Sequence, residues 1–372
     1  MNNRLIYLRR VDLWTIENDS IESISIGAGI LGSGGGGNPY MGMLRAKEMI
    51  RKYGPVNVLS VNELSISDKI VCVGSIGAPT VGIEKIQGIE SYYALRAIEK
   101  LLNFSATAVV SNEIGGSNSL EPIIPASISK IPIVDADGMG RAFPELQMKT
   151  FFVYGVPPVP MSIADDKGNV MIISQANDPK TVEDMARSIT VQMGSVACYA
   201  FGPMDINQIL NTAVLNTLTL SKNLGDIVRS SIKTNNNPIE SILKVHSGKN
   251  LFEGKIVDLE RKTIQGFTRG KVLIEGLSEY SGDRMEIEFQ NENLIAKMNN
   301  TVVCLVPDLI CIVDSEKGEP ITTELLRYGF RVTVLGFPAP KHWTSEQGLK
   351  VVGPKAFGYD FDYSPLLFKE LK

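Results

Sequence analysis

The 372-residue chain is 44% hydrophobic and 21% charged with a formal net charge of −4, the balance of a globular protein long enough for two domains. The lack of a basic stripe excludes nucleic acid and anionic membrane as expected partners, and no apolar run approaches the roughly 20 residues of a spanning helix. MNNRLIYLRRVDLW at the start carries charges where a signal peptide needs its apolar core, so the expected compartment is the cytoplasm.

The first feature along the chain is residues 27–43, GAGILGSGGGGNPYMGM. Four consecutive glycines, Gly34, Gly35, Gly36 and Gly37, suit a backbone that turns sharply or approaches something closely. Asn38 is a good N-cap, Pro39 suits the first helical position, and Met43, Ala46, Met49 and Tyr53 recur at helical spacing. The loop therefore feeds a helix N-terminus, where free amides suit an anion or a polarised carbonyl. Gly27, Gly29 and Gly32 also spell GxGxxG after Ile24 and Ile26, the outline of a dinucleotide fingerprint. Against that, no helix can begin at Gly32 while the chain runs on through glycines, and the expected acidic residue is missing, since Glu48 falls inside the helical pattern. Ile21, Ile24, Ala28 and Leu31 fit a helix packed closely through Gly27 and Gly29 at least as well. A glycine hinge without any ligand is the plainer alternative.

From Val56 short apolar runs alternate with helical stretches, the pattern of an α/β layer structure. Residues 56–61 and 69–73 are expected strands. The second ends in a glycine-rich turn, 74–82, that delivers Glu84 and Lys85 to a helix running to about Asn103. Residues 107–110 and 131–134 are further strands, followed by SNEIGGSNSLEP and DADGMGRAFPEL. Open α/β sheets bind ligands beyond the carboxyl ends of their strands, and three successive strand ends here carry small or polar residues. They supply Glu113, Asp135, Asp137 and Arg141 as candidate catalytic groups. Gly34, Gly35, Gly36, Gly37, Asn38, Thr80, Asn112, Gly115, Gly116 and Asn118 are the candidate substrate contacts. Converging carboxylates serve as general base and acid, or hold a divalent metal through oxygen ligands. Taken singly, each Asp or Asn before glycine is as well explained by turn and cap chemistry. As a set beside the glycine loop they favour a binding site.

Residues 150–154 are expected to continue the sheet, and 161–164 with 170–174 to form a hairpin across DDKGN. Helices follow at about 181–197, 205–230 and 237–245, with Lys222, Arg229 and Lys233 on a solvated face. Cys72, Cys198, Cys304 and Cys311 follow no CxxC spacing and sit in apolar contexts, as small buried hydrophobes do. His246 and His342 alone cannot build a three-histidine zinc site. A composition shift at 247–250 divides the chain into 1–247, a layered α/β domain with a helical extension, and 248–372, a smaller mostly-β domain of barrel or sandwich type. Asp308 and Asp314 fall at turns or strand ends in the second domain. The closing stretch, 352–366, is rich in Gly, Pro and aromatics and is expected to pack back across a surface, with a lid over the N-terminal site as its boldest role.

GAGILGSGGGGNPYMG, GAPTVGIEK, NEIGGSNSLEP and DADGMGRAFPEL resemble the N-terminal domain of the family named after S-methyl thiohydantoin desulfurase. LFEGKIVDLERKTIQGFTRG, FQNENLIA, VPDLICIVD and VGPKAFGYD resemble its C-terminal domain. The resemblance implies a hydrolase of a hydantoin-like five-membered ring, with water displacing methanethiol from an S-methyl thiohydantoin. Such chemistry needs a base, for which Glu113, Asp135 or Asp137 is suited, and a group to stabilise ring charge, such as the amides of Gly34 to Gly37 or Arg141. The resemblance also implies partners similar to hydantoinase/oxoprolinase subunits, so an accessory subunit of such a complex is the first alternative. A protein binding a phosphorylated metabolite at the helix that starts at Asn38 is the second. The expected partner is a small-molecule substrate, with a divalent metal and a homo-oligomer both open.

Overall fold

The computed structural model describes residues 14–264 and 267–366, without the side chains of Pro79 and Thr80. The contact expected from Thr80, and residues 1–13 on which the signal-peptide argument rests, therefore lie outside the described residues. Among the described residues no helix is long and apolar enough to cross a membrane.

The N-terminal sheet consists of β1 (Trp14–Ile16), β2 (Val56–Leu59), β3 (Ile70–Gly77), β4 (Ala108–Ser111), β5 (Ile133–Asp137), β6 (Met161–Ala164), β7 (Val170–Ile173), β8 (Val196–Met204) and β9 (Val214–Leu215). Its order is β1-β2-β5-β4-β3-β8-β6-β7, with β9 beside β5. β2, β5, β4 and β3 run parallel, so their carboxyl ends open at one edge, and β8 pairs antiparallel with both β3 and β6. The expected hairpin is β6 and β7.

Asn38 accepts the Tyr40 amide at 2.9 Å and caps the helix Pro39–Tyr53. The GxGxxG stretch is not a strand and turn but a buried helix, Asn18–Leu31. It packs against the helix Thr217–Thr234 so closely that a Cβ on Gly27 would lie 1.8 Å from the Ser221 carbonyl, and one on Gly225 1.8 Å from that of Ser23. Glycine at both crossing points lets the two backbones meet, with Ser221 Oγ donating to the Ile24 carbonyl at 2.9 Å.

The second sheet contains β10 (Lys249–Ile264), β11 (Phe267–Gly276), β12 (Arg284–Gln290), β13 (Glu292–Met298), β14 (Thr301–Leu305), β15 (Leu309–Asp314) and β16 (Arg331–Phe337). All its pairs are antiparallel, in the order β14-β13-β12-β11-β10-β16-β15. β14 and β15 stand at opposite ends of this order, yet only residues 306–308 separate them in the chain. The sheet must therefore curl until its ends meet. It is one curled sheet and not two stacked ones. Leu309, Cys311, Leu335 and Phe337 on β15 and β16 share a core with Ile24, Leu224 and Val228, which welds the two sheets' layers together.

Five expectations change, the first being the helix expected at 205–230, which is two helices, Ile206–Thr212 and Thr217–Thr234, because β9 between them pairs with β5. Thr150–Val153 is a helical turn, not a strand: the Thr150 amide and hydroxyl both donate to the Gly138 carbonyl, and Phe151 and Phe152 pack on Phe201. The helix starting at Pro179 stops at Gln192, because 196–204 is drawn into the sheet as β8. β3 runs on to Gly77 for the same pairing, so the turn expected at 74–82 becomes strand followed by the helix Pro79–Glu84, and the long helix begins only at Glu90. Residues 352–366 are not a lid: Leu366 enters the C-terminal core, while Tyr363 and the Leu366 amide donate to Asp308.

Candidate active site

A small cavity of about 100 Å³ lies where the ends of β3 and β4 face the β12–β13 turn of the other sheet. That is well below the roughly 300–1,000 Å³ of sites for drug-sized ligands. Of the sequence-predicted residues, Gly36, Gly37, Asn38, Asn112, Glu113 and Asn118 line it.

Glu113 stands two residues beyond the end of β4 and is buried. Asn118 Oδ1 accepts the Ser75 amide at 2.7 Å and the Ser75 hydroxyl at 2.8 Å, so its amide NH₂ is left to donate to Glu113 Oε1. The Phe143 amide donates to Glu113 Oε2 at 3.2 Å. Burial pushes the Glu113 carboxyl above the usual range, against the Asn118 hydrogen bond and the Lys149 charge, which both favour ionisation.

Lys149 also lines the cavity and is itself fully buried. Its ammonium donates to the Leu146 carbonyl at 3.1 Å and lies 5.1 Å from the centre of the Tyr199 ring. Burial draws its pKa down. From the second sheet come Asn291 and Glu292. Glu292 is buried, its Oε2 has no hydrogen-bond partner among the described residues, and burial reinforced by the Glu113 charge holds its carboxyl well above the usual range.

The other candidates stand outside the cavity. Asp135 caps the helix Thr217–Thr234: its Oδ1 accepts the amides of Leu218 at 2.9 Å and Thr219 at 3.1 Å. Asp137 Oδ2 accepts the amides of Ile114, Met139 and Gly140 at 2.9, 2.9 and 2.7 Å, tying the loops after β4 and β5 together. Arg141 is a tie between the domains, donating to the carbonyls of Pro307 and Asp308 at 2.8 Å and of Asn293 at 3.3 Å. Burial lowers its pKa to about 10. Gly34 and Gly35 pack against Asn293 and Glu292, while Gly36 and Gly116, both with left-handed φ, lie against each other, and Gly115 packs on Ala142. No three His, Cys, Asp or Glu side chains come together in a way that could hold a metal ion among the described residues. The donor set of the described residues does not fit a metal. The four cysteines are buried and unpaired, and neither histidine lines the cavity.

Sequence reasoning missed Lys149 and Glu292. A single lysine inside the apolar run LQMKTFFVY was the available signal for the first, whereas Glu292 carries the local pattern of any hairpin turn, QNEN.

The model of the S-Me-THD-like N-terminal domain matches residues 19–175, and that of the S-Me-THD-like C-terminal domain matches residues 177–366. The chain belongs to the S-Me-THD-like family. The two matches meet inside the N-terminal sheet, because β8 lies in the second yet sits between β3 and β6. A crystal structure of a protein from Chromobacterium violaceum is similar at a TM-score of 0.80 and 24% identity, over 95% of this chain and 100% of that one. At that identity it supports the fold alone. No curated protein matches the chain.

Proposed function

We propose that the chain is a hydrolase of a hydantoin-like five-membered ring, in which water displaces a thiol at an amidine carbon. The observation that carries this is Glu113: a buried carboxyl in a small polar cavity, held near neutrality between burial and a nearby lysine, in a family whose name points to thiohydantoins. Two hydrogen-bond donors fix its direction, which supports the role of base toward a water above the ring. Asn112 Oδ1, which has no partner among the described residues, offers an acceptor to a ring N–H.

Glu145 and Glu292 share the cavity with Glu113, which disfavours a phosphorylated ligand at the helix capped by Asn38. The accessory-subunit alternative is decided by the same experiment. Purified protein incubated with a panel of S-methyl thiohydantoins is expected to release thiol and form the hydantoin, and E113Q to lose turnover by at least about 100-fold with its fold intact. An isolated chain inert toward the whole panel, or E113Q turning over at the wild-type rate, overturns the reading.

A further inference from the structure

The glycine run has a specific occupant. Gly35 lies against the Glu292 carboxyl so closely that a Cβ there would stand 2.0 Å from Oε1. The surrounding contacts hold this arrangement from both sides: the Asn293 amide donates to the Ser33 carbonyl at 2.7 Å, and the Thr323 amide to that of Gly34 at 2.9 Å. Glu292 itself starts β13 from a turn locked at Asn291, whose side chain accepts the Thr268 amide at 2.8 Å and whose own amide donates to the Thr268 carbonyl at 2.7 Å. A side chain at Gly35 would close the path by which the C-terminal domain reaches the cavity.

We propose that Glu292 is the proton donor to the ring nitrogen, working with Glu113 so that the two domains supply the acid and the base of one reaction. This rests on the hydrolase reading. The environments divide the roles: Glu113 accepts two hydrogen bonds and faces the Lys149 cation, whereas Glu292 keeps an oxygen without a partner among the described residues and feels the Glu113 charge more strongly than the opposing Arg141 cation. In the first step the water oxygen bonds to the amidine carbon, Glu113 takes the water proton, and the carboxyl proton of Glu292 goes to the ring nitrogen as the C=N pair moves onto it. In the second the C–S bond breaks, the departing thiolate takes the proton from Glu113, and the new hydroxyl returns its proton to Glu292 as the C=O forms. One water is consumed, one thiol leaves, nothing is oxidised or reduced, and both carboxyl groups end as they began.

The test compares wild type, E292Q, G35A and E113Q on two substrates: an S-methyl thiohydantoin, and the same ring doubly N-alkylated into a permanent amidinium that needs no protonation. G35A displaces the Glu292 carboxyl without changing any ionisable group and keeps the proposal testable if E292Q fails to fold. E292Q and G35A are expected to lose at least about 100-fold in turnover of the neutral ring and to stay within a few-fold of wild type on the amidinium, while E113Q loses both. Wild-type rates for E292Q on the neutral ring, or equal losses on the two substrates, overturn the acid role alone. Wild type inert on both overturns the hydrolase reading, and this inference with it.

Discussion

Replacing Asp137 by asparagine should remove a large part of the pH dependence of stability. Two influences oppose each other at this side chain. Three backbone amides donate to one of its oxygens, which favours the carboxylate, while complete burial favours the neutral acid. Burial dominates and pushes the carboxyl from 3.8 up to about 7. Between those values the folded protein holds a proton that the unfolded chain has released. The stabilisation is therefore complete below the unfolded value and is lost as pH rises through the folded one. Each pKa unit is worth about 1.4 kcal/mol, so the interval amounts to roughly 4 kcal/mol. The side-chain amide of the D137N variant has no such proton to lose. Urea denaturation of both proteins at several values between about pH 4 and about pH 8 should show wild type losing roughly 4 kcal/mol relative to D137N across the window. Parallel curves would refute the reasoning, and a wild type that gains on the variant as pH rises would show that the three amides win.

Removing the Lys149 charge should push the Glu113 carboxyl higher still, so the acid limb of the pH–rate profile of Lys149→Met moves to higher pH; a limb that does not move refutes the pairing. Arg141→Met leaves the buried carbonyls of Asn293, Pro307 and Asp308 without a donor and should cost roughly 3–5 kcal/mol in urea denaturation, with no more than about 1 kcal/mol lost if the guanidinium is not the tie between domains. Gly27→Ala drives a methyl into the Ser221 carbonyl and should cost about 3 kcal/mol by the same measurement, and a neutral outcome would mean that the two helices part without penalty.

Much of the frame was legible because its signals are local. Asn38 and Pro39 start a helix whatever lies around them, the hairpin of β6 and β7 follows from DDKGN between two short apolar runs, and the strands of the second sheet repeat at intervals set by their turns. That Glu113, Asn112 and Asn118 line one cavity was legible on the rule that ligands gather at the ends of parallel strands, which needs only strand positions. The errors fall where a segment's partner is far away in the chain. TFFV has strand composition but becomes a helical turn because Phe151 and Phe152 are taken up by Phe201, and 196–204 is a strand because β3 and β6 flank it.

The amino-acid sequence by itself determined the order of elements, the glycine run and a supply of carboxylates near it. Only the tertiary structure decided what each carboxylate does, because a polar side chain's role is set by the donors it meets. Asp135 is claimed by helix amides 83 residues onward, and Arg141 by carbonyls as far as 167 residues onward. Glu292, which in the chain is one more hairpin residue, becomes part of the cavity because the second sheet curls and carries its β12–β13 turn onto Gly35. Burial away from water then gives these groups their altered acidity, and burial is a property of the assembled layers that no stretch of sequence possesses alone.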